Sequence, residues 1–150
     1  MEALKYEIYI GAKPEDVWNI FVTPEGTKAI FFGSVLESTF EIGSPYEYVG
    51  PGNEGERTVH VYGKVLEYEP GKRMSYTEHP GPSYRDNHAE LETRVSLTLE
   101  VVGATTKLTL VNDRWPDNHP SYESTQQSWP IIVSNIKTYA ETGKTLDFGF

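Results

Sequence analysis

Near the start of the chain, Leu4, Tyr6, Ile8 and Ile10 alternate with Lys5, Glu7 and Tyr9. A two-residue period puts the two sets on opposite faces of an extended segment, so the pattern predicts an opening β-strand. At Gly11 the period changes. "KPEDVWNIF" supplies a proline suited to a first helical turn, acidic residues beside its positive end, and Val17, Trp18 and Phe21 for a buried stripe. "TPEGTKAIFFG" predicts another turn or short helix before Gly33, with Pro24 interrupting the first period.

From Val35 the signals are those of strands: "SVLESTF", "PYEYVG", then "RTVHVYGKVLEYEPGKRMSYTEH", in which Pro70 and Gly71 mark a turn. In the next run, Leu91, Thr93, Val95, Leu97 and Leu99 oppose Glu92, Arg94, Ser96, Thr98 and Glu100. "VGAT" turns the chain, and Leu108 and Leu110 resume the inward set. The pattern predicts about six or seven strands, with two short helical pieces early and one long helix late. "PGNEGE" and "HPGPSYRDNH" read as loops within the sheet, where a pocket mouth is expected.

The late helix lies in "SYESTQQSWPIIVSNIKTYAETGKTL", where Trp129, Ile132, Val133, Ile136, Tyr139 and Ala140 fall at three- and four-residue spacings. Gly143 is placed to cap it. Pro130 leaves two readings, because it removes a backbone donor and crowds the preceding turn: the helix proper begins near Trp129, or a longer helix bends there. A sheet with one apolar face needs a cover, and this is the one long helix available. The resulting class is α+β, a curved antiparallel sheet around a long C-terminal helix.

Composition narrows function more than fold. A chain of 150 residues can bury a sizeable core in one domain. The net charge of −9 argues against nucleic acid as a partner, and "GKR" at residues 71–73 is a short charged turn rather than a basic stripe. With no cysteine, disulfide and thiolate chemistry are excluded. Neither a secretory leader nor a membrane span is legible in "MEALKYEIYI", so a cytoplasmic location is expected.

"PEDVWNIFVTPEG", "GKVLEYEPGKRMSY", "TTKLTLVNDRW" and "SWPIIVSNIKTYAETGKTL" together resemble successive blocks of the START-related superfamily. Within it, the branch they resemble is the C-terminal domain of activators of the ninety-kilodalton heat-shock-protein ATPase. The resemblance runs from about Tyr6 to Leu146. It implies a helix-grip fold enclosing a hydrophobic cavity, a single START-like, ATPase-activator-like domain over residues 1–150, and a lead-in turn at Trp129 and Pro130. Ser128 stands where many relatives have glycine, and Phe31 and Phe32 where a tryptophan is often found. Full activators carry another domain ahead of this one, whereas here Leu4 already begins the first strand.

Chemical motifs are sparse. His60, His79, His88 and His119 form no compact metal-binding pair, no serine sits in a strand-turn-helix setting, and "GPGNEGE" lacks the lysine of a phosphate loop. No catalytic residue, metal or cofactor is therefore assigned. Ten tyrosines and three tryptophans supply more ring surface than one helix contact requires. The expected lining of a cavity of about 300–1,000 Å³ is Trp18, Phe32, Tyr62, Tyr76, Trp115, Trp129 and Val133, with Glu56, His60 and Asp113 as polar members. The reading is binding or sensing of a small hydrophobic or amphipathic molecule, with non-enzymatic binding favoured. The alternatives are a chaperone-interaction module regulating ATPase activity and a cyclase-like or ligand-processing enzyme.

Overall fold

Inward and outward positions alternate in the long strands as the residue pattern requires. In "TRVSLTLE" the residues Thr93, Val95, Leu97 and Leu99 are buried, while the positions between them reach solvent to differing degrees. The computed structural model describes residues 1–149. The elements are β1 (Leu4–Ile10), α1 (Pro14–Val22), α2 (Pro24–Ile30), β2 (Val35–Ser38), β3 (Pro45–Pro51), β4 (Arg57–Glu69), β5 (Arg73–Pro80), β6 (Thr93–Val102), β7 (Thr105–Asp113) and α3 (Tyr122–Thr142). A 3-10 turn at His88–Glu90 lies between β5 and β6.

The strands form one seven-stranded antiparallel sheet in the order β1-β7-β6-β5-β4-β3-β2. Register shifts at Tyr48/Val49 and between Val65 and Glu67 bend it, since an extra residue on one strand sharpens the local twist. Gly63 permits the tight passage of β4 along β5: a Cβ there would lie 1.9 Å from the Thr77 carbonyl oxygen. The concave face holds α3, and the arrangement is the α+β helix grip.

α1 and α2 cover the rest of that face. Thr23 separates them, its side chain accepting from the Gly26 N–H at 3.1 Å to cap α2. Val17, Trp18 and Phe21 of α1, Ile30 of α2 and Trp129, Ile132, Val133 and Ile136 of α3 share one core with Val95, Leu97, Leu108 and Leu110 of the sheet. Among the described residues no helix is long and apolar enough to cross a membrane.

Pro130 corrects the expected lead-in turn. It stands inside a 21-residue helix that begins at Tyr122. The N–H that proline lacks would have bonded to the Gln126 carbonyl, one helical turn back. That carbonyl instead accepts from the Tyr6 hydroxyl of β1 at 3.4 Å, a long bond that gives it a partner outside the helix. Pro130 itself is exposed, so its ring displaces no core side chain. At the other end Gly143 adopts φ 76° and caps the helix through its N–H to Tyr139 O at 2.8 Å.

Ile136 is fully buried beneath the sheet. Ile136→Ala removes this contact and leaves a void, so the expected cost is about 2–5 kcal/mol, read as a lowered denaturation midpoint. An unchanged midpoint would contradict the packing of α3 on the sheet.

Candidate functional site

The apolar faces of the sheet and α3 do not meet along their whole length. At the end where β4 and β5 approach the start of α3, a cleft remains, formed by two adjoining lobes of ≈ 400 Å³ and ≈ 440 Å³. His60, Val61, Glu78, Tyr84 and Thr125 border both. The smaller lobe is more polar, with Arg85, Thr93, Trp115 and His119 in its wall. The larger is walled by Phe31, Phe32, Tyr48, Trp129 and Ile132. Behind Tyr48, which borders the larger lobe, the space among Leu36, Phe40, Tyr46, Val65, Met74 and Tyr76 is only ≈ 10 Å³, so the interior is filled there.

Of the residues expected to line a cavity, the cleft brings together Phe32, His60, Trp115 and Trp129. Trp18 lies elsewhere in the core, 5.5 Å from the ring of Tyr68. Val133 is buried in the core, and Tyr76 stacks edge-on to Tyr46 behind the cleft. Tyr62 lies outside the cleft walls, stacked on His79 at 4.8 Å, with its hydroxyl paired to His88 Nδ1. Glu56 remains in an exposed turn, accepting from the Glu54 N–H at 3.0 Å. Asp113 is clamped by Arg94 through two bonds of 2.8 and 2.6 Å, which hold its carboxyl below the usual carboxylate range. Among the described residues no three His, Asp or Glu side chains converge as metal ligands.

The two cleft tryptophans are oriented by one buried residue. Asn112 of β7 accepts the Trp129 indole N–H on Oδ1 at 3.1 Å and the Trp115 indole N–H on its backbone carbonyl at 2.9 Å. Its own amide donates to Thr93 Oγ1 at 3.2 Å and to the Arg94 carbonyl at 3.0 Å. Nearby, His119 packs edge-on to Trp115 and accepts the Ser121 N–H on Nδ1 at 3.1 Å; burial pushes its pKa down. His60 Nδ1 pairs with the Tyr84 hydroxyl, which ties β4 to the loop after β5.

Phe32 is 58% exposed and has φ 51°. It follows Phe31, the C-terminal cap of α2, and the next residue, Gly33, donates to the Lys28 carbonyl at 3.1 Å in the bond that closes a left-handed helix end. Glycine ordinarily fills this position, and an aromatic there costs about 1–2 kcal/mol. Its ring forms part of the wall of the larger lobe.

Sequence reasoning missed Glu78, the acid shared by both lobes. The signal was present, because Met74, Tyr76 and Glu78 occupy one face of β5 by alternation. Glu78 is half-buried in the wall of the cleft, and the lost solvation pushes its pKa up to about 7. Behind it, burial likewise raises the hydroxyls of Tyr46, Tyr48 and Tyr76, with the Glu78 charge adding to the effect.

Because folded Glu78 binds its proton more tightly than the unfolded chain does, stability falls as pH rises from about 4.5 to about 7 and the full penalty persists above that. A gap of this size is worth about 3 kcal/mol. Glu78→Gln removes the ionisation, so its melting temperature should exceed the wild type's at pH 8, with that advantage shrinking towards pH 4.5. A difference that does not vary with pH would contradict the burial of this carboxyl.

Comparison with known proteins agrees with this architecture. The solution structure of the Aha1 dimer from Colwellia psychrerythraea superposes with a TM-score of 0.73 at 20% identity, covering 96% of this chain and 99% of the other. DynU16, a putative protein in the dynemicin biosynthetic locus, gives 0.74 at 18% identity, over 97% of this chain but 49% of the other. An HSP90 activator from Plasmodium falciparum gives 0.70 at 15% identity, covering 92% of this chain and 95% of the other. At these identities the likeness is one of fold. No curated protein matches the sequence closely enough to add a relative. The family described as "Activator of Hsp90 ATPase homolog 1-like protein" matches residues 11–141, nearly all of the strand and helix framework; the chain belongs to that family.

Proposed function

We propose that the chain binds a small hydrophobic or amphipathic molecule in the cleft between the sheet and the start of α3. The observation that carries this reading is the pairing of an aromatic lobe, walled by Phe31, Trp129 and Ile132, with a polar lobe that shares Glu78 and His60. Space of this size suits a drug-sized guest, with ring surface supplying affinity and a few fixed polar groups supplying orientation. Phe32 adds a further ring to the wall of that aromatic lobe.

A diverse apolar library titrated into isotopically labelled protein should shift the Trp129 indole and the Phe31 and Ile132 amides in nuclear magnetic resonance spectra. Phe32→Gly removes a wall ring, so a hit should bind about tenfold more weakly. Thr125→Trp, on the helix face common to both lobes, fills the space and should abolish binding. Spectra in which no cleft resonance responds would defeat the proposal.

Membership of the family and the likeness to the Plasmodium activator support a second reading, a chaperone contact that regulates ATP hydrolysis. The acidic balance of −9 suits a basic docking surface reached by electrostatic steering. Calorimetric titration against purified heat-shock protein at low salt, with its ATPase rate followed in parallel, should show saturable binding and a changed rate. Absence of heat and of any rate change removes this reading without affecting the first.

A further inference from the structure

Among the described residues Glu78 takes part in no ion pair. Among the described residues its carboxylate also has no hydrogen-bond partner, although it sits at the junction of the two lobes and faces both. A half-buried carboxylate without a counter-ion has lost part of its solvation, and a mobile cation is the simplest group that relieves it.

We propose that the cleft selects amphipathic ligands whose polar end is a protonated amine, held by Glu78, with the apolar body lying between Phe31, Trp129 and Ile132. The inference rests on the small-ligand reading above and assigns the chemical class of that ligand. Four features lead to it. First, the acid is placed where a head group must lie if the body fills the larger lobe, since Glu78 borders both spaces while the aromatic wall belongs to one. Second, several nearby polar groups already have partners: His60 Nδ1 is bound to Tyr84, His119 Nδ1 receives the Ser121 N–H, and the Tyr48 hydroxyl is 3.3 Å from that of Tyr76.

Third, the rings of Tyr48, Trp115 and Trp129 present π-surface around this junction, and such faces attract an ammonium group. Fourth, the net charge of −9 draws cations towards the protein and disfavours anions. The one cationic side chain in the wall, Arg85, is exposed on the loop after β5 and forms no ion pair with Glu78. An amphiphilic carboxylate would have to place its charge near Glu78 or stay at the rim beside Arg85, outside the larger lobe.

The test uses three probes with one ring body: 2-naphthylethylamine, 2-naphthylethanol and 2-naphthylacetate. Calorimetry at pH 8 keeps the amine charged and Glu78 largely ionised. Wild-type protein should bind the amine about tenfold more tightly than the alcohol, as a charge-assisted bond warrants. Glu78→Gln should bring the two to within about twofold by weakening the amine alone. Equal binding of amine and alcohol by the wild type, tightest binding of the acetate, or an amine preference that survives Glu78→Gln would each overturn the assignment. In those cases alcohol binding still upholds the small-ligand reading, whereas failure of all three probes to bind defeats both. The wild-type comparison of amine with alcohol remains decisive whatever the variant's yield.

Discussion

Asn112 has no solvent exposure, and four hydrogen bonds converge on it from β6, α3 and the loop after β7. A buried amide left without partners is destabilising, so each bond constrains the element that supplies it. Trp129 fixes the rotation of α3 about its axis, Trp115 fixes the chain leaving β7, and Thr93 fixes the inward face of β6. The cleft exists because those three settings are compatible with one another but leave the neighbouring sheet surface, from His60 to Glu78, without a helix lying on it. A hydrophobic side chain at this point could fill the same space and keep the backbone acceptor for Trp115, but it would not specify which way the Trp129 indole points.

Regular structure was legible wherever the residue period was sustained. The alternation in residues 91–100 and 105–110 gave β6 and β7 their inward faces, and the acid-and-proline start gave α1. The expected helix-grip class followed from the order of those segments together with the family blocks. What could not be read was the partner of a backbone atom far away in sequence. Tyr6 meets the carbonyl freed by Pro130 across 120 residues, so the proline looks like a helix boundary until β1 is placed beside α3.

Site residues were harder for a related reason. Residue type identifies rings and acids, but the bend of the sheet decides which of them face open space. Trp18 and Phe32 look alike as aromatic positions near early helices, yet one is sealed against Tyr68 and the other stands in the cleft wall. Asp113 is held in a bidentate pair across β6 and β7, while Glu78 has no such neighbour. The absence of a cross-strand cation opposite Glu78, where Thr93 stands instead, is a property of register, and register emerges only once the strands are paired.

The closing of the sheet also sets an order of events as the chain leaves the ribosome. β2 to β7 can pair with sequence neighbours, but β1 pairs with β7, joining Leu4 to Asn112. β1 therefore cannot pair until β7, which ends at Asp113, has been made. Until α3 emerges, the concave apolar face has no cover and β1 carries unpaired backbone groups, a state open to pairing between chains. Such long-range closure slows folding, which makes the interval between synthesis of β7 and docking of α3 the period of greatest exposure to aggregation.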